Sequence, residues 1–171
     1  NVVNVAEGKA NFDPADFHAP CNRVATKYGR ECYMMQTSRM TQMGLSSERV
    51  LAECDRAREF REVCAQSLGR DLSTESRLGR HRSVASQCEL ATGELRRACV
   101  RGVIYALADD TWDGRYALPF CASLAAVADR DDCYRETLSY LRTQFEKTYA
   151  DLTQECGRHA AGSEACLAGK Q

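Results

Sequence analysis

The chain has 171 residues and a formal net charge of −1, the size of one domain or of one short repeat array. Leu, Ile, Val and Phe together number 30, under a fifth of the sequence, which is thin for a packed core, while the near-zero net charge argues against intrinsic disorder. No apolar run approaches the roughly 18 residues needed to cross a bilayer, so a membrane-spanning helix is excluded.

Ten cysteines in so core-poor a chain point to disulfides and an oxidising compartment. There is no C-x-x-C pair and no C-x-x-C-H, which removes zinc-ribbon, thioredoxin-type and covalent haem readings. The sequence begins at Asn1 without an initiator Met; removal of an export signal is one explanation and trimming is another. No N-x-Ser/Thr acceptor occurs, and Arg outnumbers Lys 19 to 4, compatible with a GC-rich bacterial genome. These features predict a bacterial periplasmic or secreted protein.

The cysteines form two interleaved ladders. Cys21, Cys54, Cys88, Cys121 and Cys156 are 33, 34, 33 and 35 residues apart, and Cys32, Cys64, Cys99, Cys133 and Cys166 are 32, 35, 34 and 33 apart. A period near 34 is that of a two-helix repeat unit. Phe17, Val50, Val84, Ala117 and Leu152 keep one phase before the first cysteines, and Met40, Leu72, Leu107 and Leu141 keep another after the second. Such positions share an inward helix face. Each unit therefore reads as a short helix before the first cysteine and a second helix after the second. The predicted fold is all-α: a disulfide-stapled helical-hairpin array, an α-solenoid of about 34 residues per repeat.

In chain order, residues 1–20 open with the strand-like Asn1-Val2-Val3-Asn4-Val5 and read as an N-terminal arm, docked on a neighbouring subunit or disordered. Residues 21–171 read as a single helical repeat domain of four hairpins plus a short closing unit. Met34, Met35, Met40 and Met43 all fall in the first unit. Soft thioethers bind Cu(I), which makes copper handling the alternative function; the plainer reading has Met40 filling a core position. Gly44, Gly79 and the Asp113-Gly114 turn mark breaks between units. The segment Asp109-Asp110-Thr111-Trp112-Asp113-Gly114-Arg115-Tyr116 holds the only tryptophan. Trp112 and Tyr116, flanked by Asp109, Asp110 and Asp113, are candidate partner-binding residues, against the plainer reading that Trp112 folds back onto Tyr116 or the neighbouring helix. Pro119 starts or kinks the short helix before Cys121. From Cys133 to Cys156 there is no Gly or Pro, and Tyr134, Leu138, Leu141, Phe145 and Leu152 fall on one helical stripe. That stretch either runs on unbroken or turns without a glycine.

The spacing within each cysteine pair bears on the bridging. If that segment is a turn, Cys21–Cys32, Cys54–Cys64, Cys88–Cys99, Cys121–Cys133 and Cys156–Cys166 each staple one hairpin. If it is helical, the pattern is that of twin C-x9-C proteins, whose bridges join separate helices. Nine, ten or eleven intervening residues rotate a helix face by about 100° per insertion, which a turn absorbs and a rigid helix does not. Gly29, Gly93 and Gly162 inside three of the segments also favour the turn.

Catalytic signatures are missing. His18, His81 and His159 lie in different units and phases, no serine sits in a nucleophile elbow, and no P-loop, G-x-G-x-x-G or H-E-x-x-H occurs. An even cysteine ladder leaves no thiol for catalysis. The expectation is no enzyme, no cofactor and no metal apart from the copper alternative. Residues 70–101 carry a balance of +3 and residues 109–136 a balance of −4. The basic stretch lacks interleaved aromatics, so nucleic acid is not an expected partner.

The cysteine phase and period resemble tetratricopeptide and Sel1-like helical repeats, particularly bacterial cysteine-rich versions with one disulfide per hairpin. The resemblance covers Cys21 to Cys166 and rests on period and phase, since the side-chain consensus residues of both families are not cleanly present. It implies non-catalytic binding of another protein or a multisubunit complex. An accessory subunit of a membrane-associated assembly, respiratory or photosynthetic, is one role that suits it.

Overall fold

Several of the breaks between helices fall where one residue turns left-handed. The computed structural model describes residues 15–160 and 163–168. The Asn1–Val5 alternation and Gly162 therefore lie outside the described residues. Among the described residues there is no strand; the α-helices are α1 (Gly29–Gln42), α2 (Ser47–Asp55), α3 (Arg61–Arg77), α4 (His81–Cys88), α5 (Gly93–Thr111), α6 (Ala117–Ala122), α7 (Val127–Phe145), α8 (Tyr149–His159) and α9 (Glu164–Ala168). Single 3-10 turns at Cys21–Arg23, Thr26–Tyr28 and Arg58–Phe60 complete the regular structure.

Five disulfides join Cys21 to Cys32, Cys54 to Cys64, Cys88 to Cys99, Cys121 to Cys133 and Cys156 to Cys166, and no cysteine is left free. Four of them tie a short helical segment to the first two turns of a longer helix: the Cys21–Arg23 turn to α1, α2 to α3, α4 to α5 and α6 to α7. The fifth ties α8 to the five residues of α9. The longer helices begin before the second cysteine, not after it. Cys32 and Cys64 sit in the first turn of α1 and α3, whereas Cys99 and Cys133 sit in the second turn of α5 and α7. Variable helix entry, together with the connection, absorbs the uneven spacing. Five disulfides fit an oxidising, extracytoplasmic environment. No helix among the described residues is long and apolar enough to cross a membrane.

Gly44 (φ +86°) and Gly79 (φ +82°) end α1 and α3, where a left-handed residue lets the chain close 6→1 hydrogen bonds, Leu45 N–H to Met40 O and Arg80 N–H to Glu75 O. Two further breaks depart from expectation. After α5 the left-handed position falls on Trp112 (φ +59°), while Gly114 instead keeps space for Leu118. The Cys133–Cys156 stretch does not run on: α7 ends at Phe145, Glu146 takes φ +54°, and Thr148 caps α8. Thr148 and Asp151 form a reciprocal capping box that starts α8 without any Gly or Pro. The stripe therefore divides, with Tyr134, Leu138 and Leu141 buried on α7 and Leu152 on α8. Because an exposed side chain at positive φ costs conformational energy, Glu146→Gly is expected to stabilise the protein by about 1 kcal/mol, read as a higher urea midpoint at unchanged slope.

Gly29 also differs from its reading as a turn residue. It is the first residue of α1 with ordinary helical angles, and a Cβ there would lie 2.2 Å from the Phe60 ring. Pro119 lies in the first turn of α6, where its missing N–H costs little.

The apolar interior is two adjoining clusters that share Leu72. One, built on Met40, Val50, Leu51 and Leu68, sits among α1, α2, α3 and the start of α5; the other, built on Leu107, Phe120, Leu138, Leu141 and Leu152, runs from α4 to α9. Of the inward positions read from the sequence, Val50, Val84, Ala117, Leu152, Met40, Leu107 and Leu141 are buried, while Phe17 and Leu72 are half-buried. All ten half-cystines are buried in the same clusters, so the bridges substitute for the large aliphatics the chain lacks.

Candidate partner-binding surface

The crossing of α3 and α5 borders a broad concavity. Gly69 and Gly102 meet there reciprocally: a Cβ on Gly69 would lie 1.9 Å from the Cys99 carbonyl oxygen, and one on Gly102 would lie 1.9 Å from that of Gln66. Only glycines let two helix backbones approach so closely. Beside this contact opens a groove of about 500 Å³, walled by Met34 of α1, Arg70 of α3, Tyr105, Asp109 and Asp110 of α5, and Tyr140 of α7. No signal used in reading the sequence marked either glycine; an isolated glycine inside a helical run was the available clue.

Tyr105 and Tyr140 stack with ring centroids 3.9 Å apart and planes 15° apart. Each phenol donates to a carboxylate, Tyr105 to Glu136 and Tyr140 to Asp109 at 2.6 Å. Burial, then the hydrogen bond to an anion, pushes both phenols well above their ordinary pKa and keeps them as donors. On the opposite wall the Arg70 guanidinium is fixed from every side. It donates to Asp71 at 2.6 Å, to the Met34 carbonyl at 2.5 Å and to Ser38 at 3.0 Å. Thr37 and Ser67, both fully buried, extend the same network to Asp71 and Met34. The groove is thus a rigid aromatic-and-polar trough rather than an apolar slot.

The five residues singled out around the tryptophan separate. Asp109 and Asp110 line the groove, with Asp110 paired to Arg77 at 2.5 Å. Trp112 stands two residues further, 68% exposed. A bulky side chain at positive φ costs about 1 kcal/mol or more, so the surrounding structure holds it there. Asp113 turns away and binds Arg115 at 2.6 Å and Thr111 at 2.9 Å. Burial opposes its ionisation, but those hydrogen bonds outweigh it and hold the carboxyl below its ordinary range. Tyr116 packs against the core.

The charged stretches are not free fields. Arg77 of the basic stretch meets Asp110, Arg96 meets Asp129 at 2.9 Å, and Arg101 meets Glu136 at 3.4 Å. Each pairs one helix with the next across the sequence, and each, being partly exposed, contributes at most about 1 kcal/mol.

The methionines also part. Met40 is buried in the core, and Met34, Met35 and Met43 are half-buried. The Met35 sulfur accepts a hydrogen bond from Arg70 at 3.1 Å, so a cation already stands against that thioether. Among the described residues no group of three or more His, Cys, Asp or Glu is arranged to hold a metal ion. Of the histidines, His18 lies between the Tyr33 hydroxyl at 3.1 Å and Glu53 at 3.4 Å, and His159 lies 3.8 Å from Glu155. His81 meets the Ser76 hydroxyl at 2.8 Å, and burial lowers its pKa, but Ser76 is itself fully buried and its hydroxyl is enclosed at the α3–α4 turn. No family model matches the chain, and no characterised protein or solved structure is significantly similar to it.

Proposed function

We propose that this protein is a non-catalytic assembly subunit, bacterial and periplasmic or secreted, that binds another protein or a membrane-associated complex along one face of a helical-hairpin array. The array reading is supported by the hydrogen bonds between successive long helices, which span 30 to 36 residues and so follow the cysteine period. In that reading α1, α3, α5 and α7 form the inner row of an α-solenoid of about 34 residues per repeat, and the groove is its concave side.

The observation that carries partner binding is Trp112, a large aromatic held exposed in a left-handed conformation at the end of α5, two residues from the groove wall. Buried tryptophans dominate binding energy at interfaces, and an ordered exposed one needs little reorganisation to become so. The test is capture from the extracytoplasmic and membrane fractions of the source cells by wild type and Trp112→Ala. Truncation is expected to weaken capture at least tenfold, about 1.4 kcal/mol, with the helical circular dichroism and melting temperature kept. Equal capture by both forms removes Trp112 as the anchor.

A further inference from the structure

Around the start of α1 lies a polar cavity that the groove reading does not use. It encloses about 420 Å³ between the Cys21–Arg23, Thr26–Tyr28 and Arg58–Phe60 turns. That volume lies within the range of small-molecule sites. Its wall includes Asn22, Thr26, Tyr33, Arg56, Arg58 and Phe60. The aromatic part is ordered, because Phe60 stacks on Tyr33 at 5.3 Å and 20° and fills the space left by Gly29. Tyr33 is almost fully buried, and its hydroxyl is fixed by the His18 ring nitrogen at 3.1 Å.

Two features of Arg58 stand out. Its backbone is left-handed, φ +53°, at a position where glycine would carry no strain. Its guanidinium makes no ion pair or hydrogen bond among the described residues, whereas neighbouring Arg56 is paired with Glu53 at 3.0 Å and Arg61 with Asp55 at 2.8 Å. Arg58 is exposed and lines the cavity, so a charge without a partner among the described residues is open to a ligand there. An unpaired guanidinium selects an oxyanion, and an aromatic wall in a space this large selects one with an apolar body.

We propose that this cavity binds a small organic anion, its carboxylate on Arg58 and its apolar body against Phe60. Glu59 also lines the wall, so a cationic ligand is the competing chemistry to be excluded. The probes are benzoate, benzyl alcohol, benzylamine and inorganic phosphate, titrated at pH 7 and low salt into the full chain while backbone amide resonances are followed. Benzoate is expected to shift amides of residues 22–28 and 56–60, and the other three are each expected to bind at least tenfold more weakly. Arg58→Gln weakens benzoate at least tenfold, and Arg58→Lys retains part of the affinity, because the charge remains while the bidentate fork is lost. Arg58→Gly loses benzoate equally but melts about 3 °C higher, because it relieves the positive φ.

Benzoate binding untouched by Arg58→Gln overturns the proposal, as does no shift up to about 10 mM, an affinity too weak for a built site. Equal binding of benzyl alcohol or benzylamine overturns the anion preference, and equal binding of phosphate overturns the apolar body. A lower melting temperature for Arg58→Gly overturns the claim that the positive φ strains Arg58. None of these outcomes depends on Trp112.

Discussion

Gly102→Ala is expected to be among the most damaging single substitutions in this protein, with a loss of roughly 3 kcal/mol and a melting temperature about 10 °C lower. The added methyl carbon falls 1.9 Å from the Gln66 carbonyl oxygen, less than any tolerated contact, and the obstacle is helix backbone rather than a side chain that swings aside. To accept it, α3 and α5 must separate over their whole crossing, which loosens Leu68, Val103 and Leu107 from their clusters and pulls Tyr105 away from the groove wall. Gly69→Ala meets the Cys99 carbonyl at the same distance and is expected to match it. Gly157→Ala is the control: it lies on α8 with nothing within 4 Å of the added carbon, so helix propensity alone acts and the change stabilises by about 0.5–1 kcal/mol. Chemical denaturation of the three variants decides it. If Gly102→Ala and Gly157→Ala have the same midpoint, the helices are not held together at these glycines, and the groove has no rigid floor.

The same two glycines show where reading the chain reaches its limit. Helix class and disulfides were legible because they depend on short spacings: a cysteine 10 to 12 residues from its partner, an apolar residue four positions before it. Gly69 and Gly102 are ordinary penalties to a helix until two helices are laid across each other, and only the crossing turns the penalty into a requirement. The α7–α8 break was half legible. The absence of Gly and Pro left both outcomes open, and the capping box of Thr148 and Asp151 decided in favour of a turn at a cost borne by Glu146. At the candidate surface, the tryptophan segment was found by composition, but composition does not divide it. Exposure of Trp112, partial burial of Tyr116 and the closed Asp113–Arg115 pair are set by which way one helix end points. The sequence shows the basic and acidic stretches only as charge balances, because their pairing, Arg96 with Asp129 and Arg101 with Glu136, exists only between helices.

Loss of the disulfides is expected to exceed any single substitution. Each bridge closes a loop of 10 to 12 residues, which the chain-entropy account values at about 3 kcal/mol. Five such contributions are comparable to the whole stability of an ordinary domain. The chain has little to set against that loss, because its half-cystines occupy core positions that larger aliphatics would otherwise fill. The fully reduced and alkylated protein is therefore expected to lose cooperative melting and most of its helical circular dichroism. The bridges are not equivalent. Cys88→Ala with Cys99→Ala removes a buried bridge between α4 and α5, in the middle of the larger cluster, and is expected to lower the melting temperature by about 10 °C. Cys156→Ala with Cys166→Ala releases α9, five residues that are too short to hold a helix alone. There the global melting temperature is expected to fall less, while the backbone amide at position 166, which donates to Ser163 in the native chain, loses its hydrogen-exchange protection. A reduced chain that still melts cooperatively within about 10 °C of the oxidised one would show that the aliphatic clusters suffice, and that the cysteines serve something other than stability.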